Sequence, residues 1–244
     1  MIPKVIHYCW FGGNPLPPLA QKCIASWKTY LPDYEIKEWN EENFNVNIIP
    51  YTQEAYAAKK YAFVSDYARF WILYNYGGLY FDTDVEIIKP IDDIIANGPF
   101  MGCETDGGKG KTIAVAPGLS LGANAGMAIY QKLLSLYNSL HFDVNHIDTT
   151  IVGYTTKVLK QEGLENRGDI QKVADCFIYP TEYFNPINII SHRTHLSPNT
   201  RSIHHYAASW MDNKEPRIKR IIRNFIPESL LLLWNKRPKS NFLF

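Results

Sequence analysis

One stretch limits this chain more than any other. From Tyr61 to Asp84 it reads YAFVSDYARFWILYNYGGLYFDTD. The helical pattern begins upstream, at Thr52, and runs to Tyr76, where Gly77-Gly78 stop it, since glycine suits a helix C-terminus. Leu79 to Phe81 then reads as a short apolar strand that runs straight into Asp82-Thr83-Asp84. In extended geometry residues i and i+2 point to the same side, so Asp82 and Asp84 stand about 7 Å apart along the chain and repel each other. A hard divalent ion, Mg²⁺ or Mn²⁺, resolves that repulsion and is usually completed by phosphate oxygens and waters. The bare Asp-x-Asp pattern also suits a solvated turn. Its context favours a site. Asp66 and Arg69 lie three apart on one helix face. An exposed pair of this kind would contribute little, but its neighbours are apolar and aromatic, so it falls in a mostly buried helix. The two glycines let the backbone pass close to a ligand.

The rest of the chain alternates strands and helices. Lys4 to Cys9 reads as a buried strand, Leu16 to Tyr30 as a helix opened by Pro17-Pro18, and Tyr34 to Trp39 as a strand. Val85 to Ile88, Phe100 to Cys103, Thr112 to Leu121, Asp169 to Tyr179 and Thr200 to Tyr206 read as strands. Asn124 to Tyr137 and Ile147 to Gln161 read as helices, with Asn124 as the expected N-cap. This alternation predicts an α/β sandwich around a mostly parallel central sheet. In such sheets ligands sit beyond the carboxyl ends of the strands, which is where Asp82 and Asp84 fall. Glu104 follows a later strand.

Composition excludes several classes. Charged residues make up 20% and apolar residues 46% of the 244, which rules out intrinsic disorder for the bulk of the chain. The formal net charge is +1, so a general nucleic-acid binder is not expected. The charge is uneven: residues 217–244 carry +6 and the remainder −5. Basic residues beside Phe225, Leu230 and Trp234 suit an interfacial helix on an anionic membrane, and equally a helix packed on the body. Cys9, Cys23, Cys103 and Cys176 form no CxxC motif and read as reduced thiols. The N-terminus MIPKVIHYCWFGG lacks the n- and h-regions of a signal peptide, so the expected location is cytoplasmic, with the basic segment as a peripheral contact to the inner face of the plasma membrane.

The block SDYARFWILYNYGGLYFDTD resembles the hallmark of glycosyltransferase family 32, which includes bacterial capsular-polysaccharide transferases and the yeast initiating mannosyltransferase. The pattern recurs in the clostridial glucosylating toxins. Ile2 to His7 with Trp10 and Gly12-Gly13 is similar to the family's first strand. Ser202-Ile203-His204-His205-Tyr206 with Ser209-Trp210 is similar to its late motif. The resemblance implies a GT-A type fold over residues 1–212, followed by a basic helical segment over 213–244. It implies Asp84 as a direct metal ligand, Asp82 on the ribose, the sugar or a metal-bound water, and His204 or His205 as a further ligand, His204 being favoured. Trp10 would stack on the nucleobase, with Tyr8 and Cys9 beside it. Asp66 and Arg69 would grip donor-sugar hydroxyls, Arg69 a phosphate as well. Tyr80 would line the pocket, and Ser209 and Trp210 would contact the diphosphate. Residues 148–156 are similar to a family loop but lack its proline.

The implied function is metal-dependent, retaining transfer of a hexose from a nucleotide sugar, a UDP-sugar ahead of a GDP-sugar, to a glycan or lipid-linked oligosaccharide. Three alternatives compete. A phosphohydrolase normally places Thr or Val two residues after the second Asp, where this chain has Glu86. A non-catalytic carbohydrate- or ion-binding module would tolerate loss of Asp84. A toxin-like protein glycosyltransferase would bring delivery domains.

Overall fold

The computed structural model describes residues 1–143, 150–188, 191 and 193–207. Ser209, Trp210, the basic segment 213–244 and the beginning of the helix expected from Ile147 lie outside the described residues. The chain runs β1 (Val5–Cys9), α1 (Pro18–Tyr30), β2 (Glu35–Trp39), α2 (Pro50–Ala57), α3 (Tyr61–Tyr76), β3 (Gly78–Tyr80) and β4 (Val85–Ile87). It continues with α4 (Asp92–Asn97), β5 (Phe100–Thr105), β6 (Ala114–Val115), β7 (Leu121–Ala123), α5 (Ala128–Tyr137) and α6 (Ile151–Gln161). It closes with β8 (Gln171–Val173), β9 (Cys176–Tyr179), α7 (Thr181–Phe184) and β10 (Ser202–His204).

The central sheet has the order β2-β1-β3-β7-β5-β9-β8, with β6 on β5. β2, β1, β3, β5 and β9 run one way, and β7 and β8 oppose them. Strand pleating sends successive residues to two cores. Ile6, Tyr8, Leu79 and Phe81 pack with Trp27 of α1, Ile94 of α4 and Phe184 of α7. Cys9, Tyr80 and Met101 pack with α2, α3, α5 and α6 on the other face. In α1 the buried residues Ala20, Cys23, Ile24 and Trp27 follow the helical repeat. All four cysteines are buried and free.

Several elements differ from the expectation. The helix expected over 52–76 is two helices, broken at Lys59 with φ 57°. No glycine or proline marks that break, which follows a helix that buries Tyr51, Thr52 and Ala55. The strand expected over 112–121 is β6, a turn at Pro117-Gly118, and β7. The strand expected over 169–179 is a tight hairpin whose turn residues, Ala174 and Asp175, both take positive φ (48° and 61°), as a type I′ turn demands. Helix α5 begins at Ala128 with Met127 as its N-cap, so Asn124 does not cap it.

The turn between α3 and β3 uses its glycines. Gly77 has φ 65° and Gly78 φ 98°. A Cβ on Gly78 would lie 2.7 Å from the Val5 carbonyl and 3.0 Å from His7 Nε2. The helix can therefore feed directly into the middle of the sheet. His7 locks this turn. Trp39 Nε1–H donates to His7 Nδ1 at 3.0 Å, which leaves the ring proton on Nε2, 3.0 Å from the Gly77 carbonyl. Burial, the larger cause, and the nearby Lys37 hold the His7 pKa down from 6.5 to about 4, against the Gly77 bond. The unfolded chain therefore binds a proton before the folded one does as pH falls. His7's contribution is complete above about pH 6.5 and is lost towards pH 4, roughly 3 kcal/mol in all. Urea denaturation of wild type and His7→Gln should show this as a difference in slope of stability against pH across that window. Equal slopes would mean that His7 titrates alike in the folded and unfolded chains, with no depression of its pKa.

Candidate active site

The carboxyl ends of β1 and β3 lie side by side because the strands are parallel neighbours. Asp82 follows β3 at that edge, and Arg69 reaches it from α3. The Arg69 guanidinium is 3% exposed and fully engaged. Its Nε donates to the Ser65 carbonyl at 3.0 Å, Nη1 to Asp82 Oδ2 at 3.2 Å, and Nη2 to Asp66 Oδ1 at 3.1 Å, with Asp82 Oδ1 3.2 Å away. Tyr80 donates its hydroxyl to Asp82 Oδ1 at 3.2 Å, and its ring lies 5.0 Å from the guanidinium. One arginine thus orients two carboxylates.

β4 and β10 form a second, two-stranded antiparallel sheet, with Val85 opposite His204. This pairing brings the late motif onto the Asp-x-Asp turn. His204 Nε2 lies 3.1 Å from Asp84 Oδ1, and the Ala207 amide donates to Asp84 Oδ2 at 2.8 Å. Asp82, Asp84 and His204 each offer a ligand atom, all within 4.8 Å of one another. His205 turns elsewhere: its Nε2 meets Glu86 Oε2 at 2.7 Å, and Lys22 Nζ meets the same oxygen at 2.8 Å. It is therefore not part of that group, because consecutive residues of an extended chain face opposite ways.

Burial pushes the Asp66 and Asp82 carboxyls upward, against the pull of Arg69. Asp84, nearby, raises Asp82 further. Burial, the largest single cause, opposes ionisation of Asp84, but the His204 bond and charge together with the Ala207 amide outweigh it and hold Asp84 below the usual carboxylate range. Fully ionised, Asp66, Asp82 and Asp84 exceed Arg69 by two negative charges, which a divalent cation matches. Two carboxylates with one imidazole suit Mn²⁺ or Mg²⁺. Gly118 keeps the space open. A Cβ there would collide with Asp82 Oδ2 and stand 3.3 Å from Arg69 Nη1. The sequence reads as a single strand through Pro117-Gly118; that a turn forms there and lies over Asp82 depends on the β7 pairing. Tyr8 and Trp10 occupy the end of β1. The Tyr8 hydroxyl donates to Glu38 at 2.6 Å, and half-buried Trp10 donates to the Asn14 carbonyl at 2.6 Å.

Residues 17–101, which include the Asp-x-Asp turn and the Asp66–Arg69 pair, match the family described as a glycosyltransferase sugar-binding region containing a DXD motif. The match covers about a third of the chain and is centred on the DXD turn. It is 33% identical over 101 residues to inositol phosphoceramide mannosyltransferase 3 of Schizosaccharomyces pombe, covering 38% of this chain and 27% of that protein. It is 31% identical over 111 residues to inositol phosphoceramide mannosyltransferase 1 of the same yeast, covering 41% and 33%. The matches thus span a third or less of the length of these relatives. Among solved structures, the PaToxG glycosyltransferase superposes with a TM-score of 0.51 at 19% identity, over 66% of this chain and 70% of that one. That likeness is one of fold, the GT-A type α/β sandwich. The β10 residues lie beyond the family match, so His204 joins the DXD turn through the structure alone.

Proposed function

We propose that this chain transfers a hexose from a nucleotide sugar to a hydroxyl acceptor, with a divalent cation held by Asp82, Asp84 and His204. The observation that carries this reading is the gathering of those three ligands, within 4.8 Å, beside a buried arginine that grips two carboxylates. The cation, when bound, would supply Lewis-acid stabilisation to the leaving nucleoside diphosphate. Arg69 would add fixed positive charge at the same place without reorganising, since Ser65, Asp66 and Asp82 already hold it. Asp66 and Asp82 would accept hydrogen bonds from donor hydroxyls. Trp10 would stack on the base, with Tyr8 and Tyr80 as flanking contacts and Ser209 and Trp210 on the diphosphate. The anomeric carbon gains oxocarbenium character as the bond to the diphosphate breaks.

Transfer would proceed with retention, the acceptor attacking from the leaving-group side and the departing phosphate taking its proton. An inverted product would overturn that stereochemistry. The named yeast relatives, which are mannosyltransferases, support a hexose donor. A lipid-linked acceptor, and contact of the basic segment with the inner face of the membrane, belong to the same reading. So does a UDP-sugar ahead of a GDP-sugar.

A thermal-shift series with UDP- and GDP-sugars, each with and without Mn²⁺, tests the reading. A ligand that binds only the folded state raises its melting temperature. The expected result is a Mn²⁺-dependent rise with sugars on one of the two bases, abolished in Asp84→Ala. No rise with any donor would leave the sugar- or ion-binding module in its place.

A further inference from the structure

A second polar group lies against the other end of the proposed metal site. Arg69 and Tyr80 converge on Asp82, and Asp66 holds Arg69. The group around Glu104 instead adjoins His204. Tyr206 stands edge-on to the His204 ring at 4.3 Å between centroids. Glu104 lies near the end of β5, which runs in the same direction as β3, so it reaches the same edge of the sheet. Asn185, just past α7, donates from Nδ2 to the Glu104 carbonyl at 3.3 Å. The Glu104 carboxylate and the Asn185 amide both neighbour the Tyr206 hydroxyl. Burial, and after it the Glu104 charge, push that hydroxyl's pKa upward, while Asn185 acts the other way.

This group is incompletely satisfied. Asn185 is 4% exposed, yet its Oδ1 makes no hydrogen bond among the described residues. The Tyr206 hydroxyl, also shielded from solvent, makes none of normal geometry, and His204 Nδ1 is a third such atom. A buried polar atom left unpaired costs about 1–3 kcal/mol. Two of them, Asn185 Oδ1 and the Tyr206 hydroxyl, lie beside the Glu104 carboxylate, where a ligand would complete them.

We propose that Glu104, Asn185 and Tyr206 form the acceptor subsite and read two neighbouring hydroxyls of a neutral sugar or polyol. The proposal rests on the transfer reading above. Asn185 Oδ1 and the Glu104 carboxylate only accept hydrogen bonds, whereas the Tyr206 hydroxyl both donates and accepts. A hydroxyl pair satisfies all three, donating to the two accepting oxygens and accepting from the tyrosine. An anionic group does not, because its oxygens would face the Glu104 carboxylate. The subsite adjoins His204 and the donor grip adjoins Asp82, so the two substrates would meet at the group between them.

Saturation-transfer NMR with methyl α-mannoside, methyl β-galactoside and myo-inositol, in the presence of Mn²⁺ and without any donor, tests this directly. At least one polyol should give saturation transfer with the wild-type protein, competed by the others and not by inorganic phosphate. Tyr206→Phe, which removes one oxygen, should weaken the bound polyol at least tenfold, and Asn185→Ala should do the same. Glu104→Gln should weaken it while admitting phosphate as a competitor. Polyol binding that is absent from the wild type, or unchanged in Tyr206→Phe, would overturn the subsite. These outcomes do not depend on the nucleotide. A protein that binds polyol here but shows no donor-dependent thermal shift would refute the transfer reading and leave a sugar-binding site.

Discussion

Asp84→Ala should abolish Mn²⁺ binding and lower sugar transfer by on the order of a thousandfold, about 4 kcal/mol of transition-state stabilisation. Asp84 sits where three constraints meet. The His204 imidazole lies 3.1 Å from one carboxylate oxygen, the Ala207 amide donates to the other, and Asp82 stands two residues back. Removing the carboxylate leaves Asp82 and His204 as the only protein ligands of the group. Asp82 is already committed to Arg69 and Tyr80. The loss should therefore appear in metal affinity first and in turnover as a consequence. The fold should survive, because the β4–β10 pairing uses backbone bonds that the substitution leaves alone. Electron paramagnetic resonance titration with Mn²⁺, alongside initial rates at saturating donor, separates these effects. Retained Mn²⁺ affinity in the variant would move the metal centre away from the DXD turn.

Arg69→Met should cost about 3–5 kcal/mol of stability, because it breaks a buried ion pair from one side only. The guanidinium is 3% exposed and serves Asp66 and Asp82 together. Methionine fills much of the volume but leaves two carboxylates facing each other without a counter-charge. For a domain of this size the loss corresponds to a melting temperature lower by roughly 10 °C. The reason for the loss can itself be tested. Adding Asp66→Asn to Arg69→Met removes one of the two stranded charges and should recover part of the stability. Donor binding should stay lost in the double variant, since neither group can then grip the sugar or the phosphate. If the double variant were no more stable than the single one in urea denaturation, packing rather than charge would hold this part of the site together.

The residues at the end of α3 and β3 were legible because their signals are local. A mostly apolar helix carrying one Asp-Arg pair, two glycines and paired aspartates within 24 residues leave few ways to fold, and the structure builds that unit as a largely buried helix, a tight turn and a central strand. The break at Lys59 and the Ala174-Asp175 turn were not legible. Each uses a left-handed conformation at a residue that does not advertise one. The turn at Gly118 was not legible either: the sequence reads as one strand across it, and its closeness to Asp82 depends on β7 lying antiparallel beside β3.

The same division runs through the candidate site. By itself the sequence determined the local spacing of the acidic group: Asp66 and Arg69 are one helical turn apart, Asp82 and Asp84 two residues apart, and those spacings hold wherever the chain folds. It also determined that a histidine follows late in the chain, without deciding between His204 and His205. Only the tertiary structure decided that. The register of β10 on β4 turns His204 toward Asp84 and His205 toward Glu86, and a shift of one residue would exchange them. Likewise Glu104, Asn185 and Tyr206 are separated by 81 and 21 positions in the chain. No local pattern links them. They meet because β5, α7 and β10 end at the same edge of the sheet, and the hydrogen-bonding capacity they leave unfilled is a property of that meeting.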